Sequence, residues 1–466
     1  MSKMSLSPLP SWKSLIFSFI YLINKKSPDS KKWLNNKSQN YYWFSRSAYS
    51  LWIINKWWKN FTDNPTSNIW IPNYFCDEPL SLLRADKPNF YFYPIKDNLT
   101  PDWEKCYEEA SKSKISIFIL VHYFGKPSEG KNARDFCDKN ECILVEDSAH
   151  VFLPSEEIGN YGDFTLYSPH KFLPIPDGSI LVQNSKTNMM KKLSNKNPTD
   201  ILSEIIDCLP KKSPNPYPWI IKKSLQKLIP SFFLFNNIKY KTKKIEKNKN
   251  INIKPFQSEY SKALLDSLEL SYEKTSSLRK INKSIISVNI NSDNLLFNNR
   301  KYIPYILGVK GDVKNHEKIP FMKWPDLPKE VISNPLENSI AINLQKKTLF
   351  IPIHQTLGIR LVRKISNDLY SKKNPYKRYI IEEYLDKEKN WIGLINCNNL
   401  MQSWQYGETK KKVNRWIARR YIIKEKDSDK TLAFFQILEK RLFFIKINRL
   451  NRGPIFLNET TFKEKL

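Results

Sequence analysis

Glycine is scarce in this sequence, with 11 in 466 residues. The six cysteines (Cys76, Cys106, Cys137, Cys142, Cys208 and Cys397) form no CxxC pair. Cys137 and Cys142 have no nearby histidine or further cysteine to complete a zinc site, so no metal is expected. Cysteines spread in this way fit a reduced, cytoplasmic protein. A membrane-spanning run is also missing. The N-terminal stretch LIFSFIYLI, from Leu15 to Ile23, has nine residues, too few to cross a bilayer. Lys13 precedes it, but Asn24, Lys25 and Lys26 follow it with no small-residue cleavage site. It reads as an amphipathic or buried helix rather than a signal peptide. Acidic residues are outnumbered, 46 against 76 basic ones, which leaves a formal net charge of +30. The lysines are scattered among Asn and Ile, as at Lys239, Lys241, Lys243 and Lys244. No nucleic-acid module accompanies them, so a solvated basic surface is expected and nucleic acid is not an expected partner.

What is present is an alternation of strand-like and helix-like segments. Between Tyr41 and Asn184 the runs SNIWIP, NFYFYPI, ISIFILVHYF, CILVE, FTLY and SILVQ are short, β-branched or aromatic, and bounded by turn residues. PDWEKCYEEASKS and GKNARDFCDKN lie between them with helical spacing and charge. This pattern predicts an α/β domain with a mainly parallel sheet. ISIFILV is apolar without alternation, as a strand covered on both faces should be. The expected organisation is an N-terminal helical segment (1–40), a large domain (41–235) and a small α/β domain (236–357). A linker (358–387) and an aromatic-rich C-terminal piece (388–466) follow. A Lys/Asn-rich stretch from Lys239 to Lys254 lies in the connection between the lobes.

The chemistry concentrates in one segment. CILVEDSAH places Asp147 just past a strand, where α/β sheets gather ligands, although an aspartate there also suits a helix cap. YGDFTLYSPHK follows, with Ser168 and Lys171 three residues apart. One turn then presents a hydroxyl and an amine to the same cleft, the pair needed to hold a phosphate and a carbonyl carbon on one ligand. PDGSILV starts the next strand at Gly178.

In order and spacing these motifs resemble the DegT/DnrJ/EryC1/StrS family of pyridoxal-phosphate-dependent aminotransferases, which usually act on sugar nucleotides. FSRSAYSL is similar to the family's phosphate-cradle segment, although it carries no glycine. IWIPNYFCDEPLSLLRADKPNFYFYPIKDNLTPDWEKCYEEA, VHYFGKP, MKWPDLP and FIPIHQTL extend the resemblance over Phe44 to Leu357. It implies a fold-type-I transferase: a large domain with a mainly parallel sheet plus a small α/β domain. Lys171 would attach the cofactor and, once freed, act as general base. Asp147 would pair with the pyridine nitrogen, His150 would lie near the ring's phenolic oxygen, and Ser168, Ser47 and Ala48 would hold the phosphate. Phe75, within Tyr74–Phe75–Cys76, lies where the family places a residue against the ring. His122 and His354 read as structural. The sequence has Gly178–Ser179 where the family often has two glycines. A subgroup replaces the lysine with histidine and dehydrates. This chain keeps Lys171, so transamination is the expectation. The donor would be glutamate or glutamine, the acceptor a keto group on a nucleotide sugar, the assembly a homodimer, and the setting surface-polysaccharide or secondary-metabolite synthesis. The competing expectation is a pyridoxal-fold protein that has become a binding or regulatory partner.

The C-terminal piece is similar to the first half of a FemAB-like, GNAT-type acyl or aminoacyl transferase, through QSWQYG, Arg419–Arg420, Gln436 and NRGP. RRYIIKE, LAFFQIL and LFFIKI should form an antiparallel set, an α+β addition to the main fold. Only Gly393, Gly407 and Gly453 lie in this piece. No glycine-rich cradle for a coenzyme A pyrophosphate is available, so a partner module is expected, with acyl transfer as the alternative.

Overall fold

The computed structural model describes residues 7–16, 30–36, 39–184, 188–228, 253–268, 272–288, 290–297, 301–311, 321–369, 379–384, 391, 400–425, 431–442, 445–451 and 455–456. Ile117–Val121 is buried at every position, and the main sheet is built around it. Seven strands contribute: β1 (Asn40–Phe44), β2 (Asn68–Pro72), β3 (Asn89–Tyr93), β4 (Ile117–Val121), β5 (Ile143–Ser148), β6 (Phe164–Tyr167) and β7 (Ser179–Gln183). Their spatial order is β1-β7-β6-β5-β4-β2-β3. The pairs from β3 through β6 are parallel, whereas β7 runs antiparallel to both β6 and β1. The expected mainly parallel sheet is therefore present. β1 joins it from NYYWF, whose four aromatics were not among the predicted strands.

Helix α1 (Ser47–Thr62) covers one face of this sheet. Leu51, Ile54, Trp58 and Phe61 recur at spacings of three and four and are buried, as an amphipathic helix requires. Trp57 stacks on Phe61 at 4.6 Å and meets Phe164 of β6 edge-on at 4.8 Å. The helix ends where Asp63 adopts a left-handed conformation, φ 54°.

The small lobe contains α2 (Glu259–Leu268), α3 (Tyr272–Ser287) and the antiparallel pair β8 (Leu307–Lys310) and β9 (Thr348–Ile351). Residues 269–271, between α2 and α3, lie outside the described residues. The stretch 358–387 was expected to be a linker, but it contains α4 (Ile359–Asp368) and β10 (Tyr379–Glu383). Val362 and Ile365 of α4 are buried with Ile286 and Ile353, and Ser366 Oγ donates to Ile285 O, so α4 belongs to the small lobe. Most of Leu15–Ile23 and of Lys239–Lys254 lies outside the described residues. Leu15 itself is buried with Trp33 and Phe172.

The chain divides into two units, Met1–Leu369 and Tyr370–Leu466. In the second, β10, β11 (Ile417–Glu425), β12 (Thr431–Leu442), β13 (Ile445–Leu450) and β14 (Ile455–Phe456) pair antiparallel around β12 and β11. Helix α5 (Trp404–Asn414) is capped by Ser403, whose hydroxyl accepts from Tyr406 N at 3.1 Å. Three motif fragments noticed in the sequence meet here. Gln402 accepts from Gln436 N and donates to Asn451 O. Arg420 lies 3.5 Å over the Trp404 ring. Residues 452–454 of NRGP lie outside the described residues. Among the described residues no helix is long and apolar enough to cross a membrane.

Candidate active site

The carboxyl ends of β4, β5 and β6 converge, and the candidate residues sit there. Asp147 lies within β5, one residue from its end, rather than beyond the strand. Its Oδ1 accepts from Ala149 N at 2.9 Å. Burial raises its proton affinity, and the Lys171 amine, the Ala149 N–H and His122 act against that rise.

The residues behind Asp147 are fixed by hydrogen bonds. His122 Nδ1 accepts from Ser128 N at 2.9 Å, so Nε2 carries the proton and donates to Glu146 at 2.8 Å. Glu146 also accepts from the N–H groups of Gly159, Tyr161 and Gly162. Burial pushes its carboxyl up, but His122 and these backbone donors win, and it sits below the usual carboxylate range. His122 N donates to Asp147 O at 3.0 Å. The histidine expected to be structural thus anchors both ends of the Glu146–Asp147 segment.

Lys171 closes a short 3-10 turn, Pro169–Lys171, held by its own N–H donating to Ser168 O at 3.0 Å. Its amine makes no hydrogen bond or ion pair among the described residues. Burial lowers its proton affinity, Cys76 and Asp147 act against that, and Arg46 reinforces it. A buried amine shifted in this direction is a better nucleophile and base near neutral pH. Ser168 is fully buried, and its Oγ has no partner.

His150 lies between two rings, Phe124 at 5.2 Å and 12° and Tyr305 at 4.8 Å and 11°. Trp324 meets it edge-on at 5.8 Å. Burial and the Lys171 charge hold it neutral, and its buried Nδ1 has no partner. Both ring faces are covered, so only its edge is available to a ligand.

Of the three residues at the ring-facing position, Tyr74 stacks on Trp324 at 4.6 Å and 16°. Phe75 is buried in the main core. Cys76 interacts with the charges of Lys171 and Asp147, and burial pushes its thiol up to about 11. Of the three, Cys76 carries the one titratable group that interacts with the Lys171 amine. Its small side chain gave no sequence signal.

Ser47 and Ala48 are the first two residues of α1, as expected. Gly178, with φ 139°, ties this region to the next strand: its N–H donates to Ser45 O, and its carbonyl is bonded by His170 Nδ1. A Cβ at Gly178 would lie 2.7 Å from Gln257 Nε2, so glycine is required there. The small lobe reaches the lysine turn through Arg279 and Gln355. Both donate to Phe172 O, at 3.2 and 2.9 Å.

Residues 95–197, which carry Asp147, Ser168 and Lys171, match the DegT/DnrJ/EryC1/StrS aminotransferase family. Those DegT/DnrJ/EryC1/StrS enzymes use pyridoxal phosphate. No curated protein matches the chain by sequence. The fold is that of solved aminotransferases. A putative sugar aminotransferase, Spr1654 of Streptococcus pneumoniae, superposes with a TM-score of 0.58 at 10% identity, covering 78% of this chain and 96% of that one. PseC of Helicobacter pylori, an aminotransferase of pseudoaminic acid biosynthesis, gives 0.53 at 15% identity, covering 79% and 98%. TlmJ of Streptoalloteichus hindustanus gives 0.55 at 13%, covering 79% and 98%.

The residues fit pyridoxal phosphate. A half-buried amine without a hydrogen-bond partner among the described residues, a carboxyl at a strand end and a buried hydroxyl without a partner lie within one segment, in the chemistry of the aldehyde, the pyridine nitrogen and the phosphate.

Proposed function

We propose that this protein is a pyridoxal-phosphate-dependent aminotransferase that moves an amino group from glutamate or glutamine to a keto group of a nucleotide-linked sugar. The observation that carries the reading is the Lys171 amine: without a hydrogen-bond partner among the described residues, lowered in proton affinity by desolvation, and acting on Asp147. When bound, the cofactor supplies an electron sink. Asp147 would hold a proton on its ring nitrogen, and burial suits the carboxylate to a cationic partner. Ser168 and the first N–H groups of α1 would bind its phosphate. The His150 edge would hydrogen-bond a ring oxygen from a fixed orientation. The Lys171 amine would take a proton from the donor's Cα and deliver it to the cofactor. The sugar acceptor is supported by the family match and by the sugar aminotransferase among the similar structures. A homodimer and a reduced, cytoplasmic setting belong to the same reading.

The purified protein should carry an absorbance that borohydride fixes covalently, with the label found on the Lys171 peptide. Glutamate or glutamine alone should bleach it in a half-reaction. An unlabelled Lys171 peptide, or a Lys171→Ala variant with the same spectrum, would sink the proposal.

A further inference from the structure

We propose that Arg46 is the cation that holds the cofactor phosphate, a role the cradle segment fills here without a glycine. The inference rests on the pyridoxal-phosphate reading above. Arg46 is the residue immediately before α1, with an extended backbone (φ −146°, ψ 152°) that needs no glycine, and it makes no side-chain cap. The sixteen-residue helix therefore directs its first N–H groups outward, with the partial positive charge of a helix start behind them.

The guanidinium is anchored on one side only. Nη1 donates to Ser45 O at 3.2 Å and to Pro176 O at 3.1 Å, and Nη2 donates to Pro176 O at 3.1 Å. Of its five N–H donors, Nε–H and one Nη2–H remain unused. No carboxylate reaches ion-pair distance of it among the described residues. Asp177 and Glu78 act on it only through space and oppose the lowering of its proton affinity by desolvation, while by surface area the side chain stays open to solvent and so to a ligand. The same guanidinium acts on the charges of Lys171 and His170, so it belongs to the lysine's neighbourhood.

The second observation is Ser168. Its hydroxyl is fully buried and unpartnered, three residues before Lys171. An unsatisfied buried hydroxyl costs free energy that a ligand recovers. A preset cation with two free donors, a helix start and an unsatisfied hydroxyl share the lysine's surroundings. Their common complement is a compact dianion with several acceptor oxygens, which is a phosphate monoester.

The test is a titration of the cofactor-free protein with pyridoxal phosphate and, separately, with pyridoxal, which lacks the phosphate. Arg46→Met should weaken pyridoxal phosphate about ten- to a hundredfold, the range of a lost charge-assisted hydrogen bond. Pyridoxal affinity should stay within about twofold, which also shows that the variant is folded. Arg46→Lys should recover part of the loss, because it restores the charge but not the fork. Inorganic phosphate should compete with pyridoxal phosphate on the wild-type protein and less on Arg46→Met. Unchanged pyridoxal phosphate affinity in Arg46→Met, or an equal loss for pyridoxal, would overturn the assignment alone. Failure of the wild-type protein to take up either compound would overturn both the assignment and the reading it rests on.

Discussion

Cys76 shows how one small side chain modifies a site that is otherwise recognisable by its motifs. Burial pushes its thiol up to about 11, against the pull of the Lys171 amine. The folded protein therefore keeps it as a thiol at neutral pH, and deprotonation becomes easier as pH rises. In the cofactor-free protein, alkylation of the Cys76 peptide should be slow at pH 8 and should rise roughly tenfold per unit towards about 11. Mass spectrometry of that peptide, read separately from exposed Cys208, checks this; fast labelling at pH 7 would contradict it. Asp147 sets a second residue-scale expectation. Asp147→Asn removes the charge that keeps a ring nitrogen protonated while leaving the size unchanged. Turnover should fall by about a hundredfold or more, with cofactor uptake retained. Single-turnover spectra separate that outcome from simple loss of the cofactor. The lysine, Asp147 and Ser168 were legible because each sits in a dense motif at or just past a strand end. Arg46 was not, since one arginine among 76 basic residues has no local signature of its role.

At the scale of elements, legibility followed burial. ISIFILV announced β4 because both its faces are covered. NYYWF stayed silent because β1 is an edge strand, partly exposed, with neither a fully buried run nor a clean alternation to mark it. The 358–387 stretch looked like a connector because its polar residues hide the narrow apolar stripe of α4, Val362 and Ile365. Helix α3 holds the lobes to the lysine turn. Arg279 lies at 1% exposure, donates to Phe172 O, Tyr305 O and Gln355 Oε1, and covers the Phe172 ring at 4.7 Å. Arg279→Met should cost about 2–4 kcal/mol in chemical denaturation, because buried acceptors lose a charged donor. A change below about 0.5 kcal/mol would show that the acceptors find other partners. Helix α5 makes the opposite point about propensity. A Cβ at Gly407 would stand 2.2 Å from Gln436 Oε1 and 2.8 Å from Arg420 Nη2. Gly407→Ala should therefore destabilise the second unit by about 1–3 kcal/mol despite a helix-propensity gain of about 1 kcal/mol. Faster amide exchange across 400–442 in the full chain is the expected readout. Slower exchange would mean that the helix shifts to make room.

For the whole molecule, the division at Leu369 and Tyr370 predicts two calorimetric transitions in the intact chain. Pyridoxal phosphate should raise the transition of the first unit and leave the other in place, because only one unit carries Lys171. A single transition that moves as a whole would show that the units unfold together. The net charge of +30 is a property of the surface as a whole and located no site. The sheet order has a consequence for the making of the protein. Among the described residues β1 is the first strand to leave the ribosome and has to wait for its place, because its strand partner in the sheet is β7, some 140 residues later by the numbering. Arg46 and Ser47 travel with β1, whereas Ser168 and Lys171 lie just ahead of β7. The two halves of the proposed cofactor site thus meet only when this last strand of the sheet has been synthesised and docked. A vitamin supplied during synthesis has nothing to grip before that moment, so cofactor supply can reward a finished domain but cannot guide an emerging one.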